Sequence, residues 1–227
     1  MKKLATGLSF LAIIAGLAFS ATALAAKKPI DYRRTLFVPV GQKTLMLEAP
    51  QGMCFLDQTS SSEGLIHKTF SDLIQKKGDQ VLLAVFADCN SLANYGGTVG
   101  LSEILFNTGV VTWMNPSIGE STPMSRQDYL DMREASFRQY AENGAGGLGI
   151  RLDENTHRTE SNVSLGMSGE VVTPFEKFNS TGVLATTTLR HIPIEVMLRF
   201  TRKDPPPIES LYPLMDKFMA QQIALNE

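Results

Sequence analysis

The run from Gln80 to Ala87 holds seven consecutive apolar residues, Val81 to Ala87, with no polar residue at alternate positions. A strand without alternation has no face to give to water, so this one is predicted to be central in a sheet and covered on both sides. That requirement excludes an open half-solvated sheet and demands helices or strands in layers above and below it. The flanking text supplies them. Ser60 to Glu63 offers hydroxyl caps for a helix with apolar positions at Leu65, Ile66, Phe70, Leu73 and Ile74, and Lys76, Lys77 and Gly78 are suited to end it. His67 falls on the polar side of that helix.

Other elements follow the same logic. Leu36–Val40 and Thr44–Glu48 are short apolar runs around Gly41, predicted as two strands and a turn. The stretch from Thr98 to Trp113 is β-leaning, with a turn expected at Asn107–Gly109. Ser125 to Asp128 has the form of a capping box, and the helix it opens places Tyr129, Leu130, Phe137, Tyr140 and Ala141 on one face and Asp131, Glu134 and Arg138 outward, ending near Asn143 and Gly144. Gly182 to Thr201 is rich in β-branched residues and predicts one or two long strands near Pro193, with Val163 to Phe175 as the antiparallel neighbour. Leu211, Leu214, Met215, Phe218 and Leu225 form the stripe of a closing helix, in which Pro213 is acceptable only in the first turn. Strands and helices alternate in blocks, the pattern of an α+β domain with a mainly antiparallel sheet and helices packed on its faces.

At the start, Lys2 and Lys3 precede an uncharged run from Leu4 to Ala25 that closes on Ala23, Leu24 and Ala25, the pattern of a cleaved export leader. A retained anchor is the competing reading, and Gly7 and Gly16 make the run a weak span. Residues 1–25 are therefore expected to be removed, 26–34 to form a flexible mature terminus and 35–227 a single domain. The mature chain carries 19 basic and 23 acidic residues without a long basic run, which argues against nucleic acid or an anionic membrane surface as partner. No stable membrane insertion is expected after cleavage. The chain is expected in the periplasm or secreted.

Cys54 and Cys89 are the only cysteines, and an oxidising compartment would bond them. Their separation closes a loop worth about 4 kcal/mol in the chain-entropy treatment. The rival reading, a redox or metal-binding thiol pair, lacks CxxC spacing.

Three patterns carry candidate chemistry. Gly144 to Gly149 matches the G-x-G-x-x-G phosphate fingerprint by letter, but a helix precedes it where a strand should, so it is read as a loop. Asp153, Glu154 and His157 are the candidate metal ligands, since residues three apart share a helix face, although the surrounding polar stretch is expected to be a loop. Ser168 with His157 or His191 and an aspartate would make a triad only if the chain brought them together, and Gly166 to Gly169 falls short of a nucleophile elbow. His191 is expected inside a strand among apolar neighbours. No catalytic residue is assigned, and no cofactor is expected.

The run Met46 to Phe55, with Pro50, Gly52 and the strand on either side, resembles the opening of PsbP-like domains, a family that includes an extrinsic subunit of photosystem II and bacterial periplasmic relatives. The helix after it, the apolar strand Val81–Ala87, the late strand pair and the closing helix are similar in order. The resemblance implies an α/β/α sandwich and a non-enzymatic protein that binds protein partners or assists assembly of membrane complexes. It transfers no site residues. The expectation is an exported, non-catalytic protein that binds an envelope protein or a small ligand. The alternative is a small envelope hydrolase or metal-dependent enzyme with a site near residues 144–168.

Overall fold

The computed structural model of the chain describes residues 34–76, 80–114, 124–143, 150–172 and 177–227. The expected leader 1–25, residues 26–33 of the expected terminus and the glycine run 144–149 lie outside these residues. The elements are β1 (Thr35–Val40), β2 (Lys43–Glu48), β3 (Met53–Phe55), α1 (Ser61–Gln75), β4 (Gln80–Asp88), α2 (Cys89–Ala93), α3 (Leu101–Phe106), β5 (Asn107–Met114), α4 (Arg126–Asn143), β6 (Ile150–Arg158), β7 (Val163–Val172), β8 (Lys177–Leu189), β9 (Ile192–Arg202) and α5 (Ile208–Asn226). Seven strands form one antiparallel sheet in the order β3-β4-β5-β9-β8-β7-β6, and β1 pairs with β2 in a separate hairpin. The fold is α+β with helices on both faces of the sheet, as the sequence requires.

Alternate residues divide the two faces. On β8, Val183 and Ala185 join the core formed with α5 and the β1–β2 hairpin, while Leu184 packs with Leu130 and Phe137 of α4. On β4, Phe86 faces Phe218 of α5 at 5.8 Å, and Val85 and Ala87 turn toward Ile66 of α1. Burying side chains on both faces of β4 is what its unalternating text demands. The strand is not central, however: it is second from the edge, next to the three-residue β3, and a register shift between Leu82 and Ala84 leaves its first residues more exposed. Gly109 of β5 stands opposite Phe86, whose ring lies where a side chain at 109 would go.

Several boundaries differ from expectation. Leu101–Phe106 is a helix and Asn107–Gly109 begins a strand instead of making a turn, because Ile104 is needed inward against Leu92 and helical spacing delivers it. Leu65, Leu73 and Tyr140 are exposed, so the apolar faces of α1 and α4 are narrower than their text suggests. Pro213 falls in the second turn of α5, beyond the first-turn position where it costs least, and burial of Leu211, Met215, Phe218 and Met219 on the same helix offsets the lost hydrogen bond.

His191 lies in a turn and is exposed, not in a strand. Arg190 and His191 have φ of 51° and 65° and form a two-residue left-handed connection between β8 and β9. Non-glycine residues hold that conformation because Arg190 is fastened from outside: its Nε donates to Asn226 O at 2.9 Å and its carbonyl accepts from Lys43 Nζ at 2.6 Å.

The caps of α1 and α4 are as predicted. Ser60 Oγ accepts from the Glu63 N–H at 3.4 Å, and Ser125 Oγ accepts from the Asp128 N–H at 3.2 Å while donating to its carboxylate at 2.6 Å. Cys54 and Cys89 are bonded across a Cα separation of 5.1 Å, tying the short edge strand β3 to the start of α2.

Candidate functional site

The polar stretch 151–157 is an edge strand and not a loop. Its text hides this because both faces of β6 are polar, and the reason is that both faces serve as anchors. On one side Arg158 meets Glu134 of α4 at 2.8 Å and Asp131 at 2.6 Å, and Thr156 Oγ1 donates to Glu134 at 3.3 Å. The hydrogen bond from Arg158 holds the Glu134 carboxyl below its usual range. On the other side Asp153 and His157 meet α5.

A bulge sets that second contact. Between Leu152 and Thr156 the strand takes four steps while β7 takes two, from Met167 to Leu165, which throws Asp153, Glu154 and Asn155 out of the ladder. Tyr212 Oη donates to Asp153 Oδ2 at 2.9 Å, and four residues later Asp216 Oδ2 lies 2.8 Å from His157 Nε2. The His157 and Tyr212 rings stack with centroids 4.7 Å apart. Asn162 Nδ2 donates to the second Asp216 oxygen at 3.1 Å and to Ser164 Oγ at 2.8 Å. Gly166 makes the approach of α5 possible, since a Cβ there would lie 2.5 Å from Ile208 and 2.7 Å from the Tyr212 hydroxyl. Burial first, and then the Asp153 carboxylate, push the Tyr212 phenol far above its ordinary value, so it stays a donor.

The candidate metal ligands are therefore split. Asp153 binds Tyr212, Glu154 is exposed in the bulge, and His157 turns to Asp216. Among the described residues no group of three or more metal-ligating side chains gathers. Ser168 stands opposite Arg151, whereas His157 stands opposite Ser164, four residues or roughly 13 Å along β7. His191 is in the turn after β8, so neither histidine joins Ser168.

Beside the anchors, Arg151, Glu154, Asn155, Ser168, Ile208 and Glu209 line an open concavity of about 330 Å³ at the start of α5. With Asp153, which also lines it, the hollow presents one cation, three carboxylates and two neutral polar groups, suited to hydrogen bonding with a polar surface.

A second polar cluster gave little signal in sequence. Glu195 of β9, largely buried, accepts from Arg133 of α4 at 2.7 Å and from Gln80 Nε2 at 2.9 Å, and the Arg133 guanidinium lies 4.9 Å from the Phe137 ring centroid. An acid inside the apolar run from Ile192 to Leu198 was the one clue. Among the described residues no helix is long and apolar enough to cross a membrane. Comparisons of the chain with protein-family models, curated proteins and solved structures find no match.

Proposed function

We propose that the chain is an exported, non-catalytic protein of the periplasm or the exterior that binds an envelope protein across the β6 edge and its concavity. One observation carries this reading. The side chains best suited to chemistry, His157, Asp216, Asp153 and Tyr212, are bonded to one another and hold β6 to α5, while the uncommitted polar groups face an open hollow. Small-molecule sites enclose most of their ligand, and an open polar hollow beside an edge strand suits a protein surface better. The leader and the Cys54–Cys89 bond support export. The PsbP-like resemblance of Met46–Phe55 supports a partner-binding role, and membership of that family is part of the proposal.

A photo-crosslinking residue at Glu154 or Arg151 in intact cells is expected to give one discrete protein adduct, and the same residue at Lys68 on the outer side of α1 none. Mass spectrometry is expected to find the mature chain starting at Ala26 with neither cysteine open to alkylation. Hydrolysis of ester, peptide or glycan substrates by purified protein, abolished by Ser168→Ala or Glu154→Gln, would overturn the reading in favour of a hydrolase. Stoichiometric metal in protein purified without chelator would overturn it in favour of a metal enzyme.

A further inference from the structure

Arg199 lies on the α4 face of β9, in line with Glu195, two positions of alternation away. Its neighbours in register are small: Thr108 on β5 and Gly182 on β8. The Arg199 Nε donates to Ser180 Oγ at 2.7 Å, and Thr201 Oγ1 donates to the same oxygen at 3.0 Å. Ser180 is 7% and Thr201 2% exposed. The Ser180 oxygen thus accepts twice, and among the described residues its own hydrogen has no acceptor.

Among the described residues Arg199 has no carboxylate partner. The contrast with Arg133 on the same face is sharp, since that guanidinium has Glu195 at 2.7 Å. Glu195, also engaged by Gln80, is thereby spent. Burial alone lowers the Arg199 pKa from its ordinary value, the mark of a guanidinium that has lost water without gaining a counter-charge. Two residues before Ser180 on the same face, Phe178 packs against Phe106 with ring centroids 5.0 Å apart.

We propose that the Arg199 guanidinium and the Ser180 hydroxyl form a cradle for a carboxylate carried on an apolar or aromatic body. The outer nitrogens of Arg199 present parallel N–H groups that match the two oxygens of a carboxylate, and Ser180 adds a third donor beside them. A single cation suits a monoanion better than a phosphate dianion. The Phe106–Phe178 pair supplies the apolar wall for the body of the ligand. This cradle lies on the opposite face of the sheet from the β6 concavity, so each proposal survives failure of the other.

Calorimetric titration tests it with phenylacetate, N-acetylphenylalanine, phenylacetamide and inorganic phosphate. Both carboxylates are expected to bind saturably, and Arg199→Gln to weaken them roughly 10- to 100-fold, Ser180→Ala by about tenfold or less. Tighter binding of N-acetylphenylalanine would identify a peptide C-terminus as the source of the carboxylate, and tighter binding of phenylacetate a free acid. Either supports the cradle. Equal binding of the neutral amide, equal or better binding of phosphate, or no saturable carboxylate binding overturns it. Should the variants fail to fold, dicarbonyl modification of unaltered protein decides: carboxylate is expected to slow modification of Arg199 but not of exposed Arg138, and equal rates at Arg199 with and without ligand overturn the proposal.

Discussion

The Asn226 side chain pairs with the backbone of Met46 as a neighbouring strand would, its oxygen accepting from the Met46 N–H at 3.0 Å and its nitrogen donating to the Met46 carbonyl at 2.8 Å. Gln222, one helical turn earlier, repeats the pattern on Glu48, at 2.9 and 3.0 Å. Two side-chain amides thus stand where a third strand would satisfy the outer edge of β2. Both are almost fully buried.

Removing either amide leaves a backbone donor and acceptor without partners. Asn226→Ala and Gln222→Ala are each expected to cost about 2–4 kcal/mol, and to lower Tm by several degrees in a domain of this size. Thermal unfolding measures the loss, and a change within error in both variants would show that the amide contacts carry no stability.

Tyrosine ionisation tests the α5 anchor. Burial raises the pKa of Tyr129, and burial with Asp153 raises that of Tyr212, among the five tyrosines of the chain. The folded state therefore keeps protons that the unfolded state releases above the ordinary value of 10.0, so stability falls as pH rises past that point. Ultraviolet titration is expected to show two phenols titrating only with alkaline unfolding, and one in Tyr212→Phe. That variant also loses the bond to Asp153, about 1 kcal/mol. Five phenols titrating together below the unfolding pH would contradict the buried geometry.

Acid acts through His67. Burial lowers its pKa from 6.5, and its Nε2 is buried without a hydrogen-bond partner among the described residues. The unfolded state binds the proton first, so stability drops as pH falls below 6.5 toward the folded value. Urea midpoints between neutral pH and about pH 5 are expected to fall less steeply in His67→Leu than in the parent. Parallel slopes would assign the acid loss elsewhere.

Gly109 and Phe86 make a tight packing pair. A Cβ at 109 would lie 1.9 Å from the Phe86 ring, so Gly109→Ala is expected to cost about 3 kcal/mol, and Phe86→Leu in the same chain to recover part of it. Chemical denaturation of the single and double variants gives the coupling, and simple additivity of the two losses would refute it.

The parts of this fold visible in sequence are those set by local or periodic chemistry. Ser60 and Ser125 cap helices through residues three positions on, β4 declares its burial through lack of alternation, and β7 to β9 through β-branched content. What stayed hidden depends on distant partners. Strand β6 reads as a loop because its polar side chains find Glu134 and Asp131 on α4 and Tyr212 and Asp216 on α5, and no local pattern encodes those meetings. The turn at Arg190 and His191 lacks the usual Asn-Gly text because Asn226 and Lys43 hold it from outside. Arg199 reads only as a charge in a strand, because its place opposite Gly182 and its bond to Ser180 are set by the pairing of β8 with β9.

The β1–β2 hairpin shares no strand ladder with the main sheet among the described residues and is fastened by the last turns of the final helix, 180 residues further on at Asn226. The hairpin therefore stays without these two edge partners until Gln222 and Asn226 reach it. Contacts of such long sequence separation are slow to close, so docking of the hairpin on α5 is a late step in folding.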